Sequence, residues 1–259
     1  MKKIWIAVGV VSALTFAGCG GGEKTETKTA ETAAPASGTA TPDLTNGATI
    51  TGKVAFAGTK PVAKTLDMSA VPTCMNAHKG APPKSEEVVV NDNGTLKNAF
   101  VWVKSGLPAD KTWQVPSANV ELTQTGCMYS PHVVGAMTGQ NLDIKNADPT
   151  NHNIHPLPTN NPDFNQSQPP GSADIMHSFP REEVLVSVKC NVHPWMRAYI
   201  GVVSHPFFAV TGDDGTFTLK GLPPGTYTIQ IVHEKYGTQE QTITVGAKDS
   251  KTLDFTIKG

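Results

Sequence analysis

Apolar residues return at every second position in several short runs, and this two-residue period constrains the fold of the chain more than any other feature. From Glu183 to Cys190, the side chains of Val184, Val186, Val188 and Cys190 share one face of an extended strand, with Leu185, Ser187 and Lys189 on the other. The pattern repeats near the C-terminus in Phe217 with Leu219, in Tyr227 with Ile229 and Ile231, and in Leu253 with Phe255 and Ile257. No long segment carries the helical period of about 3.6 residues. With 24 glycines and 20 prolines to make turns, the chain is expected to be all-β and folded as sandwiches.

One of these strands ends in chemistry. Cys190 opens the run Cys190-Asn191-Val192-His193-Pro194-Trp195-Met196, and Tyr199 to Val203 resumes strand character. A thiol, an imidazole and a thioether therefore share a tight loop, stiffened by the fixed φ of Pro194. Soft sulfur and nitrogen donors, with a thioether as a weak one, select copper and suit it to one-electron transfer. Zinc also uses Cys and His but rarely recruits a thioether, and a c-type haem needs a C-x-x-C-H run that the sequence lacks. A second imidazole is still required. His152 is the candidate, in the loop that follows the alternating Asn141 to Lys145 segment.

Cys190 to Arg197 resembles the C-x-x-H-P-[aromatic]-M-R ligand loop of the amicyanins, plastocyanin-like type 1 copper proteins of the cupredoxin family. His152-Asn153-Ile154-His155 resembles the H-N-[aliphatic]-H string that carries their first ligand, and Val120 to Gly139 resembles their opening strands. This resemblance spans residues 115–204 and implies a cupredoxin Greek-key sandwich. It further implies one copper held by His152, Cys190, His193 and Met196, with Asn153 tying the two loops together behind them. Electron transfer is the function that follows, with a c-type cytochrome or a redox enzyme as partner. Catalysis is not expected, because four protein donors leave no open position for substrate. His193, beyond the strand end, is expected nearest to solvent as the electron port, with Pro194 and Trp195 as an apolar docking face. Copper delivery or resistance stays open beside this reading, given Met128, Met137 and Met176, as does a binding module with a structural metal. His155 reads as a wall of the site or a surface residue, and His177, His205 and His233 as structural.

A second module follows. Asp214-Gly215-Thr216-Phe217-Thr218-Leu219, continuing to Leu222-Pro223-Pro224-Gly225-Thr226-Tyr227, resembles the mark of the carboxypeptidase regulatory-like domain, a small transthyretin-like β-sandwich. The Asp-Gly turn reads as a hairpin. Ile50 to Val54 and Asn98 to Val103 supply the earlier strands of that family. The expectation is a discontinuous sandwich over 49–112 and 206–259, with the cupredoxin domain, 113–205, inserted between its halves.

Lys2 and Lys3 precede an apolar stretch, Ile4 to Ala17, that suits a secretory signal better than a membrane span. It ends in Phe16-Ala17-Gly18-Cys19, which resembles a bacterial lipoprotein cleavage box. Residues 1–18 are thus expected to be a signal peptide and Cys19 a lipidated anchor in the cell envelope, facing the periplasm or exterior. Residues 19–48, poor in large apolar side chains, read as a flexible tether. An oxidising compartment permits disulfides. With Cys190 assigned to copper, Cys74 and Cys127 remain to pair, the alternative being a second metal site with His78 and His132. A net charge of −1 supplies no basic patch, so nucleic acid is not an expected partner.

Overall fold

The alternating runs become strands, and strands make up nearly all the regular structure in the computed structural model, which describes residues 39–259. The signal-like stretch, Cys19 and the tether as far as residue 38 lie outside the described residues. Among the described residues there is one short α-helix, Pro72–Ala77, and no helix long and apolar enough to cross a membrane.

Two sandwiches share the chain. In the first, Ala48–Ala57 lies antiparallel to Thr216–Leu222 and parallel to Ser250–Thr252 and Phe255–Lys258. The facing sheet runs in the order Phe208–Val210, Phe100–Ser105, Gly225–His233, Gly237–Val245. Ile50, Val101, Val103, Phe217, Leu219, Tyr227, Ile229 and Ile231 fill the space between. These are the inward positions of the two-residue period. In the second sandwich, one sheet runs Gln166–Gln168, His152–Pro156, Glu183–Lys189, Arg197–Val203, Val133–Met137. Its partner sheet runs Ile175–His177, Leu142–Asn146, Val120–Thr125, Met128–Ser130. Leu122, Ile144, Ile154, Val186, Val188 and Ile200 form that core.

Four local expectations are corrected. The Asp213-Asp214-Gly215 turn does not close a hairpin: Phe208–Val210 pairs with Phe100–Ser105, whereas Thr216–Leu222 pairs with Ala48–Ala57, so the turn carries the chain from one sheet to the other. Gly215 has φ +69°, and a Cβ there would lie 2.1 Å from Thr95 Oγ1, which leaves room for glycine alone. Val184 does not join Val186 and Val188, because the register with Arg197–Val203 shifts between Glu183 and Val186 and Leu185 takes φ +57°. Such a bulge turns the following side chains over, and Val184 and Leu185 pack together on a separate cluster. The segment 49–112 does not serve the first sandwich alone, since Met68 and Cys74 are buried in the second core. The end of the tether is structured. Thr39–Ala40 pairs with Thr112–Trp113, and Asp43 accepts the backbone N–H groups of Thr45 and Asn46, a local turn that presets the entry to Ala48.

That separate cluster joins the sandwiches. Phe100 and Trp102, on the outer face of the first, bury against Val133 and Val203 of the second. Gly135 and Gly201 stand opposite each other on neighbouring strands. A Cβ on Gly201 would fall 2.3 Å from the Phe100 ring, and one on Gly135 would fall 2.4 Å from the Phe208 ring. Bare backbone on two paired strands thus forms the flat seat for two aromatic rings.

Candidate metal centre

The second sandwich places three donors at one end. His152 opens its strand, Cys190 follows directly on Glu183–Lys189, and His193 lies on the loop that returns into Arg197–Val203. Their ligating atoms lie within 4.8 Å of one another, and all three side chains are buried. The two Nδ1 atoms approach to 3.0 Å, and Cys190 Sγ is 4.0 Å from His193 Nδ1. Met196 is fully buried in the same core cluster as Cys190. Its backbone closes the loop, its N–H donating to His193 O and its carbonyl accepting from Cys190 N–H.

Hydrogen bonds fix each donor. Asn153 Oδ1 accepts the Asn191 N–H at 3.1 Å and so joins the two ligand loops, while its Nδ2 donates to Asn165. The His193 N–H points at Cys190 Sγ from 3.4 Å. Tyr129 Oη donates to the backbone carbonyls of Asn153 and Lys189, one from each ligand strand. His155 Nδ1 meets Asn191 Oδ1 and takes no place among the donors.

Sequence reasoning missed Asp148. Its Oδ2 lies 2.8 Å from His152 Nε2, and its two oxygens accept the N–H groups of Gly126 and Cys127. A carboxylate holding one imidazole nitrogen keeps the proton there and leaves Nδ1 as the free donor. The signal was present as an Asp four residues before the candidate ligand. Burial disfavours a charged His152, but the hydrogen bonds and charges of Asp148 and Cys190 outweigh it and raise the pKa. Burial likewise opposes the Cys190 thiolate, yet the hydrogen bond from His152 and the backbone N–H groups of His193, Val192 and Asn153 carry its pKa below the usual thiol value. For His193, burial and the charge of His152 push it down. The pocket thus favours a thiolate beside an uncharged His193, whereas His152, whose charged form Asp148 and Cys190 favour, must release its Nδ1 proton before it can ligate.

The expected electron port is covered. His193 is only 1% exposed. The Cys74–Cys127 bridge is a disulfide, and both sulfurs lie within 4.8 Å of a His193 ring nitrogen. The alternative set with His78 and His132 does not assemble: His78 bonds the carbonyl of Gly126, and His132 forms a buried pair with Glu234. Beside His193, at 5.2 Å between ring centroids, stands the half-buried Trp195, whose Nε1 donates to Cys127 O. Trp195 and the exposed Pro194 line a cleft of about 540 Å³ together with Arg197 and Lys64.

The remaining histidines serve the fold. His177 stacks on Phe164, and His205 and His233 are buried. The Phe207 N–H donates to His205 Nδ1, so the ring proton sits on Nε2, which donates to Val103 O at 2.8 Å. Burial lowers the His205 pKa more than that hydrogen bond raises it. The unfolded chain then binds the proton first, and this contribution to stability is present above the ordinary pKa of 6.5 and lost as pH falls through the folded value. The melting temperature is expected to drop between about pH 7 and pH 5, and His205→Gln, which keeps a donor for Val103, is expected to flatten the slope. An unchanged slope would count against this role.

Comparison with known proteins gives one family match, which begins in the ligand loop and runs to the C-terminal strands. Residues 196–258 match the family model of the carboxypeptidase regulatory-like domain. Several solved structures are also similar to parts of this chain. A purple cupredoxin from Nitrosopumilus maritimus has 24% identity and a TM-score of 0.28, over 32% of this chain and 98% of that one. A reduced Cu(I) form of an amicyanin variant has 17% identity and a TM-score of 0.28, over 40% and 98%. A copper-containing nitrite reductase from Thermus scotoductus SA-01 has 18% identity and a TM-score of 0.28, over 33% of this chain and only 22% of its own length. No curated protein sequence matches the chain.

Proposed function

We propose that the chain binds one copper through His152, Cys190, His193 and Met196 and passes single electrons between redox partners of the cell envelope. The observation that carries this reading is the convergence of two Nδ1 atoms and one Sγ in a buried pocket, with a buried thioether on the same loop. The donor chemistry fits copper, which when bound supplies one-electron redox chemistry at a thiolate.

The chain's own residues do the rest. Burial of all four donors excludes water from the site. Asp148, Asn153, Tyr129 and the backbone of the loop pin the donors from outside, so their positions are preset before a metal arrives. With His193 covered, electrons leave by way of Trp195 and Pro194 toward the cleft beside them. The partner is a c-type cytochrome or a redox enzyme whose contact is small and transient, as such encounters are. Lipidation at Cys19 holds the carrier to the membrane.

The test is the optical spectrum of the full chain loaded with Cu(II). An intense visible band is expected, absent in Cys190→Ser and shifted in Met196→Leu. If the wild-type chain binds Cu(II) without that band, the reading is wrong.

A further inference from the structure

Cys74 is fully buried and Cys127 is 1% exposed, and their disulfide packs directly on the proposed ligand set. Both sulfurs and a ring nitrogen of His193 lie within 4.8 Å of one another. Cys127 Sγ also lies within that distance of Asp148 and His152. A structural staple has no need to stand so near two imidazoles. We propose that opening this bridge creates a second soft-metal site, built from the thiols of Cys74 and Cys127 and the His193 imidazole, and that it takes Cu(I).

The chemistry is balanced by an external dithiol. The dithiol gives two electrons and two protons, the Cys74–Cys127 S–S bond breaks, two thiols form, and the reductant closes its own disulfide. Bridged sulfurs are poor ligands, whereas each thiol becomes a thiolate donor when metal displaces its proton. Two thiolates and an imidazole, buried in the core cluster that also holds Met68, suit Cu(I) better than a hard cation. Because His193 belongs to both donor sets, only one set is complete at a time. Reduction then transfers the claim on His193 from Cys190 to the cysteine pair, so an electron carrier with the bridge closed becomes a holder of Cu(I) with the bridge open. The inference rests on the proposed copper centre only through that shared histidine.

The test uses the full-length Cys190→Ser chain, in which the first donor set lacks its thiolate, so the outcome does not depend on a blue centre existing. The chain is reduced with dithiothreitol, desalted without oxygen and offered Cu(I) from a chromophoric chelator. Retention of one equivalent of Cu(I) is expected after reduction and none before it. Bound Cu(I) is expected to protect Cys74 and Cys127 from alkylation, read by mass spectrometry on the same sample, so no further cysteine variant has to fold. Adding Cys127→Ser to that chain is expected to abolish the retention. The proposal is overturned if the folded chain resists the dithiol, if Cu(I) is retained with the bridge closed, or if both thiols alkylate equally with and without Cu(I). Stronger protection by Zn(II) than by Cu(I) would overturn the choice of metal. Loss of the visible band in the wild-type chain, by contrast, bears on the first site alone.

Discussion

Phe100→Ala is expected to destabilise the protein by about 3–5 kcal/mol and to split one unfolding transition into two. The ring is fully buried, yet it does not face the core of the sandwich to which its strand belongs. It rests on Gly201, with its centroid 5.8 Å from that of Phe208, which rests on Gly135. Truncation removes the transfer free energy of a whole aromatic side chain and leaves a void whose floor is backbone paired in a sheet. A sheet cannot collapse to fill the void without breaking its ladder, so the cost falls toward the upper end of the range. The same seat makes the reverse change costly: Gly201→Val forces the ring away, and overpacking of this kind costs about 1–3 kcal/mol. Either change leaves the two separate cores untouched, which is why the transitions are expected to part rather than both vanish. Calorimetry, with urea unfolding followed at two wavelengths, measures the effect. One coincident transition and a loss under about 1 kcal/mol would show that the sandwiches do not couple through these rings.

The same rings show where sequence reasoning stops. Phe100 belongs to the apolar run from Asn98 to Val103 and reads as an ordinary strand residue, and nothing local singles out Gly135 or Gly201. Only the parallel register of Val133–Met137 with Arg197–Val203 sets the glycines side by side, and register is a long-range property. The bulge at Leu185 is hidden for the same reason, since an extra residue is defined by the partner strand rather than by its own. What was legible is local. The two-residue period at Phe217, Leu219, Tyr227, Ile229 and Ile231 marked the inward faces, and the two donor-bearing loops marked the residues that the structure draws together. The cover over His193 was not legible, because it depends on Cys74 and Cys127, which are 53 residues apart and both distant in sequence from the loop they cover. A reading of the loop alone exposes its histidine.

Asp148→Ala is expected to lower copper affinity roughly 10- to 100-fold, the largest effect from any residue outside the donor set. Three interactions end together. His152 Nε2 loses its partner, so the ring proton is free to move to Nδ1, the nitrogen that faces His193 and Cys190. The backbone N–H groups of Gly126 and Cys127 lose their acceptor, and the Cys127 N–H, which is buried, then costs about 1–3 kcal/mol as an unpaired donor. Those donors belong to the turn that carries Cys127, so the bridge above His193 loosens as well. Asp148→Asn separates the contributions. An amide keeps an oxygen for His152 Nε2–H and for one backbone N–H but carries no charge, so the raised pKa of His152 should fall back while the tautomer persists. If orientation dominates, Asp148→Asn retains most of the affinity and Asp148→Ala does not; if charge dominates, both lose it alike. Competition with a chromophoric chelator gives the affinities, and the His152 ring nitrogen shifts in NMR give the tautomer. Wild-type affinity in Asp148→Ala would remove this carboxylate from any account of the centre and leave the ligand ring held by packing alone.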